Sequence, residues 1–439
     1  MMKLIKLFLF LSLCLFTCGV VSVEGATENQ TLCVSPNNVF HARVNLYAGE
    51  LGYYVFEECG LDNVNPTIAV ELGETYTFVQ THRSNYFHPI GFAYSPYGDE
   101  ELKIEVEPGT SRGNQSCIQD YTCHAPMYFI NDEYVGHYSN NPDIKNITHH
   151  EEDFGLDVYE PLFMRNPHEW AQFGNFTIKL RVDDPDITSD MFIFCHIHEW
   201  MAGRIKVTKN GIPIIKKDVP TLGFEFDYNT PLLSDFDKEC GTFALGQYQT
   251  PDNPHCPDHF VCDKDDPMVT PEMAHFGSCI DAMNCAMLTG MTTGIKAQDE
   301  RALFIHQMIP HHQNAVNMAK ALLKTEKIHC ADLANDEDPD CILEGILYEI
   351  VNTQNLQIQA MFDYLDAKRF PEADNCEVPL DKVSDTLAES AGAATLQMPT
   401  YIYLQHVTRN WLTGWKALGV VVATTTVLLM SVAALVPQF

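Results

Sequence analysis

Phe194-Cys195-His196-Ile197-His198-Glu199-Trp200-Met201-Ala202-Gly203-Arg204-Ile205-Lys206-Val207 gathers a thiol, an imidazole and a thioether into one loop. The apolar run Met191 to Phe194 carries the thiol to the mouth of a buried strand, and the chain resumes as a strand at Arg204. Two residues separate Cys195 from His198, and two more separate His198 from Met201. Soft thiolate and thioether ligands with imidazole select copper, and two histidines plus one cysteine with a weak axial methionine make a blue-copper electron-transfer centre. A second histidine has to come from an earlier strand. Tyr86-Phe87-His88-Pro89-Ile90-Gly91-Phe92 follows the alternating strand Thr75 to Gln80 and offers His88, with His82 as the competitor six residues earlier. The plainer alternative, a buried free thiol beside surface histidines, does not explain three ligand types at loop spacing followed by a strand.

The Cys195 loop closely resembles the short ligand loop of cupredoxins of the amicyanin and plastocyanin kind. That resemblance implies an antiparallel β-sandwich and one-electron chemistry at a type 1 copper held by His88, Cys195, His198 and Met201. The chain departs from the small cupredoxins in placing His88 and Cys195 107 positions apart. A loop-rich insertion, residues 95–174, accounts for the distance, and it is suited to covering the copper or docking a partner. In multicopper oxidases the copper cysteine stands between two histidines that reach a trinuclear cluster. Phe194 takes one of those places here, so an oxidase with its own oxygen chemistry is not supported. His196 is expected on the opposite face of its strand, as a surface histidine or an electron exit path.

A chain of 439 residues that is 46% hydrophobic has ample material for more than one domain. Lys3 and Lys6 followed by the apolar run Leu7 to Val23 read as a secretory signal peptide over residues 1–25. Of 15 cysteines, Cys14 and Cys18 leave with the signal, so 13 remain. If Cys195 is a metal thiolate, the other twelve make six disulfides in an oxidising compartment. Cys33 with Cys59 and Cys117 with Cys123 are locally plausible pairs. Sequons begin at Asn29, Asn114, Asn146 and Asn175. A net charge of −32 argues against nucleic acid and anionic membrane surfaces, and favours cations and basic partners.

In chain order, the cupredoxin-like domain spans residues 30–215, with strands in Val39 to Val55, Thr67 to Gln80 and Phe176 to Val182. Residues 216–276, rich in Pro, Asp and Cys, form a disulfide-stapled connector. A zinc set from His255, Cys256, His259 and Cys262 lacks the paired spacing such sites need. Residues 277–376 are helical. Met283, Met287 and Met291 share one helix face, and Asp299 to Lys324 sets Phe304, Met308, His311, His312, Ala315, Met318 and Leu322 on one stripe. Ile342 to Asp366 does the same for Leu347, Ile350, Gln354, Gln357 and Met361. Polar groups on an apolar stripe need partners.

This Met-Ile-x-His-His-x-x-Ala pattern, with Met318-Ala319 and the Gln354, Gln357, Met361 helix, resembles the ferritin-like helical family catalogued as domain of unknown function 305. The resemblance implies copper or silver handling through His and Met side chains, here a Cu(I) site from Met308, His311, His312, Met318 and Met361. Gln357 stands where a glutamate is expected, which leaves a neutral donor set. The alternative is a pair of satisfied core histidines. A linker, residues 377–416, leads to an uncharged apolar stretch, 417–436, long enough to span a bilayer; a glycolipid-anchor signal is the alternative. The sequence thus describes a multidomain β plus α protein: an antiparallel sandwich, a Cys-rich connector, a ferritin-like bundle and a C-terminal transmembrane helix. It is expected to be a membrane-anchored, outward-facing copper protein, an electron carrier or copper-capturing protein rather than a stand-alone enzyme. Its partners are copper ions, a redox partner protein and the membrane, with no nucleic acid. The alternatives are a copper-dependent oxidoreductase subunit and a cell-surface interaction protein using the copper fold as scaffold.

Overall fold

A computed structural model of the chain describes residues 32–93, 126–135, 156–183, 190–199, 201–214, 232–250 and 256–376. Twelve strands fall among them: β1 Cys33–Val34, β2 Val39–Asn45, β3 Tyr53–Phe56, β4 Ile68–Glu71, β5 Thr75–Val79, β6 Ile90–Ala93, β7 Met127–Ile130, β8 Glu133–Tyr134, β9 Phe176–Arg181, β10 Asp190–Cys195, β11 Ala202–Lys209 and β12 Ile212–Pro213. They make two sheets. One runs β1-β4-β11-β10-β6, with β12 beside β11, and the other β3-β2-β5-β9-β7-β8. Period-2 alternation is visible in β2 and β9, whose inward residues Phe40, Ala42, Val44 and Phe176, Ile178, Leu180 are buried. β10 is buried on both faces. The expectation of an antiparallel sandwich needs correction, because β1 with β4, β4 with β11 and β2 with β5 are parallel pairs. Parallel neighbours require crossover connections instead of tight hairpins, and short loops along the chain do not reveal which strands cross over.

The helices are α1 Leu156–Phe163, α2 Pro167–Phe173, α3 Asp235–Cys240, α4 Pro271–Gly290, α5 Glu300–Lys324 and α6 Pro339–Lys368. Their starts are written locally. Thr270, Asp299 and Asp338 cap α4, α5 and α6 through side-chain oxygens, and Pro stands in the first turn of α4 and α6. Cys240 is bonded to Cys279 and Cys256 to Cys285, so the Cys-rich stretch is stapled onto α4. The zinc set loses Cys256 to that bond. Cys33–Cys59 is present as expected, and Cys330–Cys341 closes the loop before α6. The six-bridge arithmetic does not close, since Cys262 and Cys376 are free and exposed. Cys117 and Cys123 lie outside the described residues.

Helices and sheets share one core. Val316, Ala319, Leu347, Tyr348 and Val351 belong to the same buried cluster as Phe40, Phe78, Phe92, Ile193 and Ile205, and each large apolar side chain so placed contributes about 1.5–3 kcal/mol. Polar anchors add register. Lys320 Nζ donates to the carbonyls of Gly49 and Glu50, and His168 Nδ1 lies 2.6 Å from the Leu333 carbonyl. No helix among the described residues is long and apolar enough to cross a membrane. The signal, residues 1–25, and the apolar stretch, residues 417–436, lie outside the described residues, as do the sequons at Asn29, Asn114 and Asn146. Asn175 is exposed at the entry to β9.

Candidate metal centre

β10 and β11 are antiparallel, and the turn between them carries Cys195, His198 and Met201. The amide of Cys195 donates to the Met201 carbonyl at 2.8 Å, which pinches the loop shut. The second imidazole arrives from the neighbouring strand. β6 pairs with β10 in a register that sets Ile90 opposite Cys195, so His88, two residues earlier, stands at the thiol. A single 3-10 turn, Arg83–Asn85, leads into it. His82 is the cap of that turn, its Nδ1 accepting from the Ser84 amide. The choice between the two histidines therefore falls on His88.

Cys195 Sγ is 3.7 Å from His88 Nδ1 and 3.7 Å from His198 Nδ1, and the three donor atoms form a buried group with mutual separations within 4.8 Å. A first-row metal bonded to sulfur at about 2.3 Å and to nitrogen at about 2.0 Å bridges such separations. Met201, at the end of the same loop, is 1% exposed. Burial pushes the Cys195 thiol up to about 12, against lowering by the backbone amides of His198 and Ile197. Burial also holds His198 down at about 4 and His88 well below the ordinary imidazole range. Two neutral imidazoles are available as ligands, and the Cys195 thiol would have to give up its proton on binding a metal. The donor set fits copper.

The surroundings fix these groups. The Gln80 amide, fully buried, donates to the His88 carbonyl at 2.7 Å and accepts from the Ile90 amide and the Tyr159 hydroxyl. The Tyr54 hydroxyl donates to the same His88 carbonyl. Phe87, immediately before His88, has φ 68°, a region that bulky residues rarely enter and that is held only where the surroundings over-determine it. His198 is 1% exposed because α6 lies over it, and its Nε2 donates to the Asn352 carbonyl at 2.9 Å. His196 faces away, with Nδ1 2.6 Å from Glu160 Oε2. Gln80, Tyr54 and Asn352 were not among the sequence-based candidates. A buried amide at the end of a strand is a readable signal for Gln80; nothing local marks Asn352 as a neighbour of His198.

The five helical candidates are placed differently. His312 is buried between the Met308 carbonyl and Gln357 Oε1, both 2.9 Å from its ring nitrogens, whereas His311 and Phe304 are exposed. Met318 packs with Cys240, Cys279 and Met283, and Met361 with Ala302, Ile305 and Ile309. The buried stripe of α5 instead includes His306, Val316, Asn317 and Lys320. That rotation follows from polar groups finding partners inside: His306 on the Pro371 carbonyl, Asn317 on the Phe243 amide, Lys320 on residues 49 and 50. Met283 and Met287 line a 230 Å³ cavity with Asn314 and Asn355. A further group, Cys240, His275 and Cys279, has both sulfurs tied in a disulfide. No family model, curated protein or solved structure matches the chain.

Proposed function

We propose that the chain is a copper protein of cupredoxin-like design, in which His88, Cys195, His198 and Met201 would hold the metal. The observation that carries this reading is the placement of one buried thiol 3.7 Å from the Nδ1 atoms of two buried histidines, His88 and His198. Copper bound there supplies one-electron chemistry at a thiolate, imidazole and thioether set. The protein's part is to keep the donors in place. Gln80 and Tyr54 fix the His88 backbone, the Cys195 to Met201 hydrogen bond fixes the loop, and packing keeps water away. The four described disulfides favour an oxidising, extracellular or lumenal setting, with residues 417–436 as the membrane anchor.

We read the role as electron carriage or protected holding of copper, with the helical layer as cover. The scattered positions of Met318 and Met361 favour this over a Cu(I) store in the helices. The test is Cu(II) stoichiometry and the visible spectrum of the purified full-length protein. One copper per chain with an intense blue band that bleaches on reduction, and that disappears in Cys195→Ser, supports the reading. A colourless protein without copper affinity overturns it, leaving a disulfide-rich surface interaction protein as the better account.

A further inference from the structure

The most informative residue outside the ligand set is Asn352, on α6 and 1% exposed. It touches both ligand-bearing segments. Its backbone carbonyl accepts from His198 Nε2 at 2.9 Å. A carbonyl only accepts, so this nitrogen carries the ring proton and Nδ1 presents its lone pair to the thiol. His88 Nε2 and Asn352 Oδ1 are both buried and without another hydrogen-bond partner, and Asn352 is a neighbour of the His88 ring, so each is the other's natural complement. The Asn352 amide nitrogen meanwhile donates to the Tyr86 carbonyl at 3.3 Å and the Tyr348 carbonyl at 2.9 Å. One side chain therefore grips the strained Tyr86-Phe87-His88 segment from α6.

Resting on the copper reading above, we propose that Asn352 is the positioning residue of the metal centre: its carboxamide orients His88 and its backbone carbonyl orients His198. Outer-sphere partners of this kind fix ring tautomer and raise ligand basicity, and their loss lowers metal affinity about 10- to 100-fold. A helix far along the chain thus sets the state of two rings that belong to the sheets.

The test uses the full-length protein with Asn352→Leu, Asn352→Asp and, as a control at an exposed position of the same helix, Asp366→Asn. In metal-free protein labelled with ¹⁵N-histidine, NMR reports ring tautomers. The wild type is expected to show both rings protonated at Nε2. Asn352→Leu should leave His198 so, because its partner is backbone, and mix the tautomers of His88. Its Cu(II) affinity should fall about 10- to 100-fold, while Asn352→Asp, which keeps an acceptor opposite His88, loses less than about tenfold. Asp366→Asn should change neither readout. Unchanged tautomers and affinity in Asn352→Leu overturn the assignment, as does an equal affinity loss in Asp366→Asn, which would make the effect one of the helix at large. If Asn352→Leu does not fold, Asn352→Ala takes its place under the same criteria: an unchanged His88 tautomer with unchanged Cu(II) affinity overturns the assignment. A wild type that binds no Cu(II) but shows the tautomers defeats the copper reading and the centre's positioning role together; wild-type binding with an indifferent Asn352 defeats only the latter.

Discussion

Arg83 Nη1 stands 2.8 Å from both carboxylate oxygens of Glu344 and 2.9 Å from the Cys330 carbonyl. The turn that leads to His88 is thereby fastened to α6 by a charged contact in which the Glu344 side chain is 9% exposed. Replacing Glu344 by Ala leaves the guanidinium without its counter-ion. Hydrogen bonds to charged groups are worth about 1.5–3 kcal/mol, and a loss of that size is expected in the urea midpoint with an unaltered slope. A midpoint equal to wild type would show that the pair is already open in solution.

Thiol accessibility separates the free cysteines. Only a thiolate attacks alkylating reagents, and Cys195 is both buried and pushed up to about 12 by that burial. Iodoacetamide at pH 8 on the native, metal-free protein should label Cys262 and Cys376, which are exposed, and leave Cys195 untouched until denaturant is added. Peptide mass spectrometry reads the sites. Labelling of native Cys195 as fast as Cys262 would contradict the closed centre.

Three imidazoles make the metal-free fold acid-sensitive. Burial, with Arg43 and Arg83 nearby, depresses His82 to about 4, burial depresses His198 to about 4, and burial with the neighbouring His198 depresses His88 well below 6.5. As pH falls below about 6.5 the unfolded chain takes these protons first. It then binds more protons than the folded one, so stability falls with falling pH between about 6.5 and about 4. Urea titrations at pH 7, 6 and 5 should show the decline, with a shallower slope in His82→Asn, which keeps the cap. A flat profile over that range would be incompatible with buried neutral rings.

Gly91 marks how tightly the ligand strand packs. A Cβ there would lie 2.7 Å from the Phe194 ring, its partner across the β6–β10 pair. Gly91→Ala is expected to destabilise the protein by about 1–3 kcal/mol through overpacking, and Gly91→Ala with Phe194→Leu to recover part of the loss. Thermal melting of the two variants checks both. Equal melting points for the single and double variants would place the clash elsewhere.

The grouping of His88, Cys195 and His198 was legible because it is local. Cys195, His198 and Met201 sit in one turn, and His88 is tied to them by strand register, so ligand type and loop spacing sufficed. The N-terminal boundary of α5 was readable from Asp299, whose capping role depends on neighbours within three residues. What lies far apart in sequence was hidden. Parallel pairing of β4 with β11 spans more than half the described sheets, and nothing in either strand advertises it. Helical periodicity located α5 and α6 and placed His312 and Leu347 inside, but the buried faces are rotated from the apolar stripes it drew. It weighs apolarity, whereas Asn317, Lys320, Asn352 and Asn355 are buried on these helices. Phe304 was assigned to the core and is exposed, since the layer packs on two sides and the polar positions took the interior.

Asn352 meets the Tyr86 carbonyl across 266 positions of chain and His198 across 154. Such contacts form only after long stretches between them have been synthesised and have closed, which is slow relative to local structure. The last long helix of the described chain thus completes the surroundings of the two imidazoles, and these surroundings reach their final form only once residues 339–368 have been made and have docked.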